Sequence, residues 1–111
     1  MAPLHTPLIR HYQAIAALST EMLGKAQTQE WDALVELGQQ YRDAVEHLKT
    51  LAPLDDDQKN ARRELLTLIL DNDAHIRQLM SPEMDRLSHL LGAFKRQRNV
   101  LQAYYSGTRP R

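Results

Sequence analysis

Cysteine is absent from the 111 residues, which excludes thiolate catalysis, thiolate metal sites and any disulfide framework. Glycine and proline are scarce, with 4 and 5 residues, and most of them punctuate the chain: Pro3 and Pro7 early, Pro53 midway, Pro82 after Ser81, Gly107 and Pro110 at the end. No run approaches the ~20 apolar residues that span a bilayer, and residues 1–6 lack an apolar stretch of signal-peptide length. Neither sign of charge is in excess, since 14 Lys and Arg meet 14 Asp and Glu. A neutral chain lacks the basic surplus that neutralises phosphates or anionic lipid. These absences predict a cytoplasmic protein with no direct nucleic-acid partner and no membrane insertion. What is present is a hydrophobic content of 42%, too high for a compositionally disordered chain and sufficient for one domain at this length.

Between the punctuation marks the apolar period is helical. The first helix is expected over residues 7–27, with Thr6 as N-cap and Pro7 in the first turn. Its inward seam, Leu8, Tyr12, Ile15, Ser19, Met22 and Ala26, steps alternately by four and three residues, as heptads do. The second helix is expected over residues 29–51, with Trp31, Leu34, Gly38, Tyr41, Val45 and Leu48 inward. Gly38 costs this helix ~1 kcal/mol relative to alanine, which close approach of another helix would explain. Residues 52–57 form a loop whose Asp55 and Asp56 are N-cap candidates for a third helix reaching Met80. There Ala61, Leu65, Leu68, Asn72, Ile76 and Leu79 are expected inward. Ser81-Pro82 reads as an N-cap with proline at the first helical position, restarting a fourth helix to about Tyr105. The prediction is an all-α, antiparallel four-helix bundle with a detachable fourth helix. Residues 1–105 make a single helical domain, and residues 106–111 a flexible basic tail.

The stripes are wider than a closed bundle requires. On the third helix Leu66, Ile69, Leu70 and Met80 broaden the seam to about half the circumference, and Leu37 and Leu51 flank that of the second. The fourth helix is irregular. Met84, Leu87, Leu91 and Phe94 form a clear stripe, but Gln97 and Arg98 then fall within it and Val100 and Tyr104 fall to one side. Its C-terminal half is therefore expected to dock less well than its N-terminal half, as suits a lid over a groove lined by the second and third helices. Such grooves recognise amphipathic helices through anchors three or four residues apart.

A catalytic apparatus is not evident, and no cofactor or metal is expected. Asp43/His47, Asp71/His75 and Asp85/His89 are each four residues apart, but they lie at or beyond the stripe edges and read as surface charge pairs. The Glu-x-x-His motif of di-iron bundles is missing, as is any phosphate-cradling glycine-rich loop. The segment Ser88-His89-Leu90-Leu91-Gly92-Ala93 faintly resembles the phosphoacceptor region of histidine phosphotransfer domains. It lacks the lysine beside the histidine, and its glycine comes one position early. Lys95, Arg96 and Arg98 make a small basic run that suits a solvated face or a protein-docking patch.

Three stretches resemble the flagellar FliT-type chaperones: residues 12–23; Ala26-Gln27-Thr28-Gln29-Glu30-Trp31-Asp32-Ala33-Leu34-Val35; and Leu68-Ile69-Leu70-Asp71-Asn72-Asp73-Ala74-His75-Ile76-Arg77 followed by Pro82. The likeness covers residues 8–105. It implies a type III export chaperone in the bacterial cytosol that binds the C-terminal helix of the filament cap protein and prevents premature assembly. It further implies contacts with the export ATPase complex and the export gate and, in some members, inhibition of the flagellar master transcriptional regulator. The fourth helix of the family is associated with autoinhibition and a C-terminal tyrosine with gate docking, for which Tyr104 and Tyr105 both qualify. Candidate groove residues are Leu37, Tyr41, Leu66, Ile69, Leu70 and Ile76; candidate lid or docking residues are Phe94, Arg98, Leu101, Tyr104 and Tyr105. A histidine phosphotransfer domain using His89 and a structural dimerisation module are the alternatives. In the latter a second copy covers the groove as a homodimer.

Overall fold

The structure, a computed structural model, describes residues 7–50 and 59–106. The expected Thr6 cap, the loop over 52–57 with Asp55 and Asp56, and the tail over 107–111 lie outside the described residues. The elements are α1 (Pro7–Gln27), α2 (Trp31–His47), a 3₁₀ turn (Leu48–Thr50), α3 (Lys59–Met80), a second 3₁₀ turn (Ser81–Glu83) and α4 (Met84–Tyr105). Among the described residues there is no strand.

The first two helices bury the expected seams except at Leu8, which is half-buried while its neighbour Ile9 is buried in its place. Tyr12, Ile15, Ser19, Met22 and Ala26 are buried on α1, and Trp31, Leu34, Gly38, Tyr41 and Val45 on α2, with Leu48 just beyond. α1 stops where Gln29 takes φ 60°. The Glu30 N–H then reaches back to the Lys25 carbonyl at 2.9 Å and the Gln29 N–H to that of Ala26 at 3.2 Å. This is a Schellman closure with glutamine in the left-handed position that glycine usually fills. The apolar contact that often accompanies it is replaced by a Lys25–Glu30 ion pair at 3.6 Å. Gln29 therefore does not begin α2, as the sequence suggested; Trp31 does.

Helix directions follow from specific contacts. His11, near the start of α1, donates from Nε2 to the Ala44 carbonyl near the end of α2, so α1 and α2 are antiparallel. Arg63 at the start of α3 lies over the ring of Tyr105 at the end of α4, so α3 and α4 are antiparallel too. Across these hairpins, Tyr12 bonds Arg62 and Ser19 bonds Asn72, which makes α1 and α3 parallel. Gly38 against Leu90 and Tyr41 against Phe94 make α2 and α4 parallel. Each helix thus touches two others around a shared core, with α2 and α3 at opposite corners and α4 between them.

The outer two helices depart from expectation in azimuth. On α3 the buried set is Leu66, Ile69, Asn72, Asp73, Ile76 and Met80. Leu68, expected inward, is 45% exposed, and Ala61, Leu65 and Leu79 are only half-buried. Asn72 and Ile76 are buried as expected, but the centre of the buried line is rotated by roughly 70° from the expected one. On α4 the restart at Ser81-Pro82 is a 3₁₀ turn, and the α-helix begins only after Glu83, which makes no side-chain cap. The helix is broken again at Leu87 (φ −112°, ψ 17°). The expected docking order does not hold. Gln97, Leu101 and Tyr104 in the C-terminal half are buried, as are Leu87 and Phe94 in the N-terminal half, where Leu90 and Leu91 are only half-buried. Tyr104 is on the seam and Tyr105 beside it.

Candidate functional site

The seat of α4 brings the candidate residues together. Leu66, Ile69 and Ile76 of α3 are fully buried, as are Tyr41 and, nearly so, Leu37 of α2. Leu70 is half-buried. Facing them, α4 supplies Phe94, Leu101 and Tyr104 to the same core. The Phe94 ring lies 5.7 Å from that of Tyr41, tilted by 36°. The apolar surplus read from the sequence is thus not an open groove in this state, because α4 covers it. α4 is itself an amphipathic helix held by apolar residues at helical spacing between α2 and α3.

The seat is mixed in character. Beneath α4 lies Asp73, whose Oδ2 accepts from Arg77 Nε at 2.9 Å within α3. Its Oδ1 accepts no hydrogen bond, and the buried Tyr41 hydroxyl and Arg98 Nε likewise have no partner. Burial raises the Asp73 pKa above the usual carboxylate value, against the opposing pull of Arg77 and, more weakly, Arg98. The Tyr41 hydroxyl is pushed up by burial and by the Asp73 charge. Gln97 of α4 is also buried, at 4% exposure. Each unsatisfied buried group costs roughly 1–3 kcal/mol, so this seat is less stable than its apolar area implies.

The two ends of α4 are held differently. At its C-terminal end Tyr104 is buried near Tyr12 of α1, whose hydroxyl bonds Arg62 and is pushed up to about 12, chiefly by burial. Tyr105 is half-buried, with the Arg63 guanidinium 5.0 Å from its ring centroid. Arg98 is half-buried. At the N-terminal end a cavity of about 310 Å³ opens between α2 and α4, lined by Val35, Gly38, Gln39, Arg42, Leu87, His89, Leu90 and Ala93. A Cβ on Gly38 would lie 2.6 Å from Leu90 Cδ1, which is the close approach its presence in the seam suggested.

Among the described residues no group of three or more His, Asp or Glu converges as a metal site. The three Asp/His pairs are exposed, and His47 instead meets His11 edge-on at 5.0 Å between ring centroids. His89 is exposed on the cavity rim. Asp73 and Arg77 were not singled out as site residues by the sequence. The available signal was their four-residue spacing next to the apolar line of α3.

Comparison with known proteins adds a finding independent of this geometry. The family described as flagellar protein FliT matches residues 9–106. Among curated proteins, a flagellar protein FliT of Yersinia enterocolitica serotype O:8 is 37% identical over 103 residues, covering 90% of this chain and 86% of its own length. Flagellar protein FliT of Yersinia pseudotuberculosis serotype O:3 is 35% identical with the same coverages. That of Yersinia pestis bv. Antiqua (strain Angola) is 34% identical over 106 residues, again covering 90% and 86%. No solved structure matches the chain.

Proposed function

Because the chain belongs to the FliT family of flagellar proteins, we propose that it is a cytoplasmic type III export chaperone for the filament cap protein. The C-terminal helix of the cap protein occupies the seat of α4, which keeps the cargo from assembling early and presents it to the export ATPase complex and the export gate. The observation that carries this reading is that α2 and α3 already hold an amphipathic helix between them, α4, over a seat containing unsatisfied polar atoms. A surface built to hold one such helix accepts another by exchange.

In this reading Leu37, Tyr41, Leu66, Ile69, Leu70 and Ile76 receive the cargo helix, and Phe94, Arg98, Leu101 and Tyr104 form the lid. Tyr105 is the gate-docking tyrosine, because Tyr104 is buried while Tyr105 presents part of its ring. Regulation of the flagellar master transcriptional regulator belongs to the same exchange, since the free protein has α4 seated and the loaded one has it displaced. No helix among the described residues is long and apolar enough to cross a membrane, which agrees with a cytosolic role.

Removal of residues 95–111 tests the exchange. With the competing helix gone, the C-terminal peptide of the cap protein is expected to bind more tightly, because the fraction of binding-competent seat rises. Equal or weaker affinity in calorimetry, with helicity retained, would remove the lid from this account.

A further inference from the structure

Asp73 is a buried charged group in the seat of α4 that recognition by apolar anchors does not use. It is 1% exposed, and its single ion pair among the described residues, to Arg77, comes from its own helix. Oδ1 accepts nothing, and two further donors are buried without partners, the Tyr41 hydroxyl of α2 and Arg98 Nε of α4. The charges of both Arg77 and Arg98 act on Asp73, and Asp73 in turn acts on Tyr41. A carboxylate withdrawn from water is costly unless it is both paired and hydrogen-bonded. α4 meets that need incompletely, with a cation nearby but no bond to Oδ1.

Resting on the chaperone reading above, we infer that Asp73 sets the selectivity of the seat for partner helices carrying arginine or lysine where α4 carries Arg98, between apolar anchors four residues before and three residues after it, as Phe94 and Leu101 stand. When α4 leaves, Asp73 loses the Arg98 charge. An all-apolar replacement leaves the carboxylate drier and still half-bonded, whereas a cation on a helix free of the Ser81–Glu83 turn that ties α4 to α3 can settle to supply the bond that Oδ1 lacks. Arginine suits it better than lysine, because its planar fork presents several N–H donors in the geometry that matches a carboxylate. Discrimination thus comes as much from the cost imposed on partners lacking the cation as from the bond gained. The partner runs in the direction of α4, antiparallel to α3.

The test offers the full-length chain two synthetic amphipathic peptides that keep the Phe94/Leu101 spacing and carry either Arg or Gln at the Arg98 position. The C-terminal segment of the cap protein is measured alongside. The Arg peptide is expected to bind about tenfold to a hundredfold more tightly than the Gln peptide, as for a charge-assisted bond. Asp73→Asn is expected to abolish that ratio while Gln-peptide affinity holds or improves. A ratio near one in the unaltered chain, with the cap segment still binding, overturns this inference and leaves the chaperone reading standing. A preference that survives Asp73→Asn also overturns it. Failure of both peptides and the cap segment to bind removes the chaperone reading and the inference together. The ratio in the unaltered chain decides the matter even if Asp73→Asn does not fold.

Discussion

The seam between α1 and α3 and the seam under α4 are built from helices of similar length, yet they solve the problem of buried polar groups differently. In the first, Asn72 Nδ2 donates to Ser19 Oγ at 3.0 Å and to Thr20 Oγ1 at 3.1 Å, and the Ser19 hydroxyl in turn donates a hydrogen bond to the Ala16 carbonyl at 2.8 Å. The polar groups are chained together and fix the register of two parallel helices. Under α4, Asp73 Oδ1, Tyr41 OH and Arg98 Nε are buried without partners, Leu87 breaks the helix, and a cavity of about 310 Å³ separates α2 from the first half of α4. Hydrogen-bonded Asn72 and Ser19 hold α1 and α3 as a scaffold, although Arg62 Nε of α3 is also buried without a partner. Unsatisfied polar groups leave α4 as the element whose departure costs least.

The sharpest way to break this contrast is to hollow each side. Ile15→Ala, at a fully buried position of α1, is expected to cost about 2–5 kcal/mol in chemical denaturation. Leu90→Ala, at a half-buried position on α4, is expected to cost about 1 kcal/mol or less; equal costs would mean that α4 is as firmly seated as the scaffold. Asn72→Ala is expected to cost about 1–3 kcal/mol, because Ser19 and Thr20 lose their donor. Its effect should fall on the exchange of α1 and α3 amides and not on α4 alone.

Asp73 tests the other side through pH. Its folded-state pKa is raised, chiefly by burial, so the folded chain holds that proton more tightly than the unfolded one. The group therefore favours folding in acid, and that contribution is lost as pH rises through the raised pKa. Asp73→Asn should raise the thermal midpoint at neutral pH relative to the unaltered chain. The gap should close as pH falls to the ordinary aspartate range, and a gap independent of pH would contradict the cost assigned to this carboxylate. Smaller still, Gln29→Gly should stabilise by about 0.5–1 kcal/mol, by relieving the left-handed φ that closes α1. Gly38→Ala should change global stability by less than about 0.5 kcal/mol, as the helix-propensity gain is offset by displacement of Leu90. It should nonetheless speed amide exchange in the first half of α4, and unchanged exchange there would mean that Gly38 does not govern the fit.

The sequence by itself determined that the chain is helical, where α1 lies, which residues line the seams of α1 and α2, and which family it belongs to. Those features rest on local period, end chemistry and residue identity. Trp31, Leu34, Gly38, Tyr41 and Val45 stand out because the opposite side of α2 is polar, with Asp32, Glu36, Gln39, Gln40, Arg42, Asp43 and Glu46, so the phase of α2 is legible. α3 has no such contrast: Leu65, Leu66, Leu68, Ile69 and Leu70 spread apolar surface around the helix, and several azimuths satisfy the period equally well. Only tertiary structure decided that Leu68 faces outward and Asp73 inward, that Tyr104 outranks Tyr105 in burial, and that the looser half of α4 is its first. The physical reason is that a helix's period is a property of its own chain, whereas its azimuth is chosen by the surfaces it packs against. A charged residue such as Asp73 turns inward when the apolar side chains on either side of it, Ile69 and Ile76, gain more from burial than its carboxylate loses.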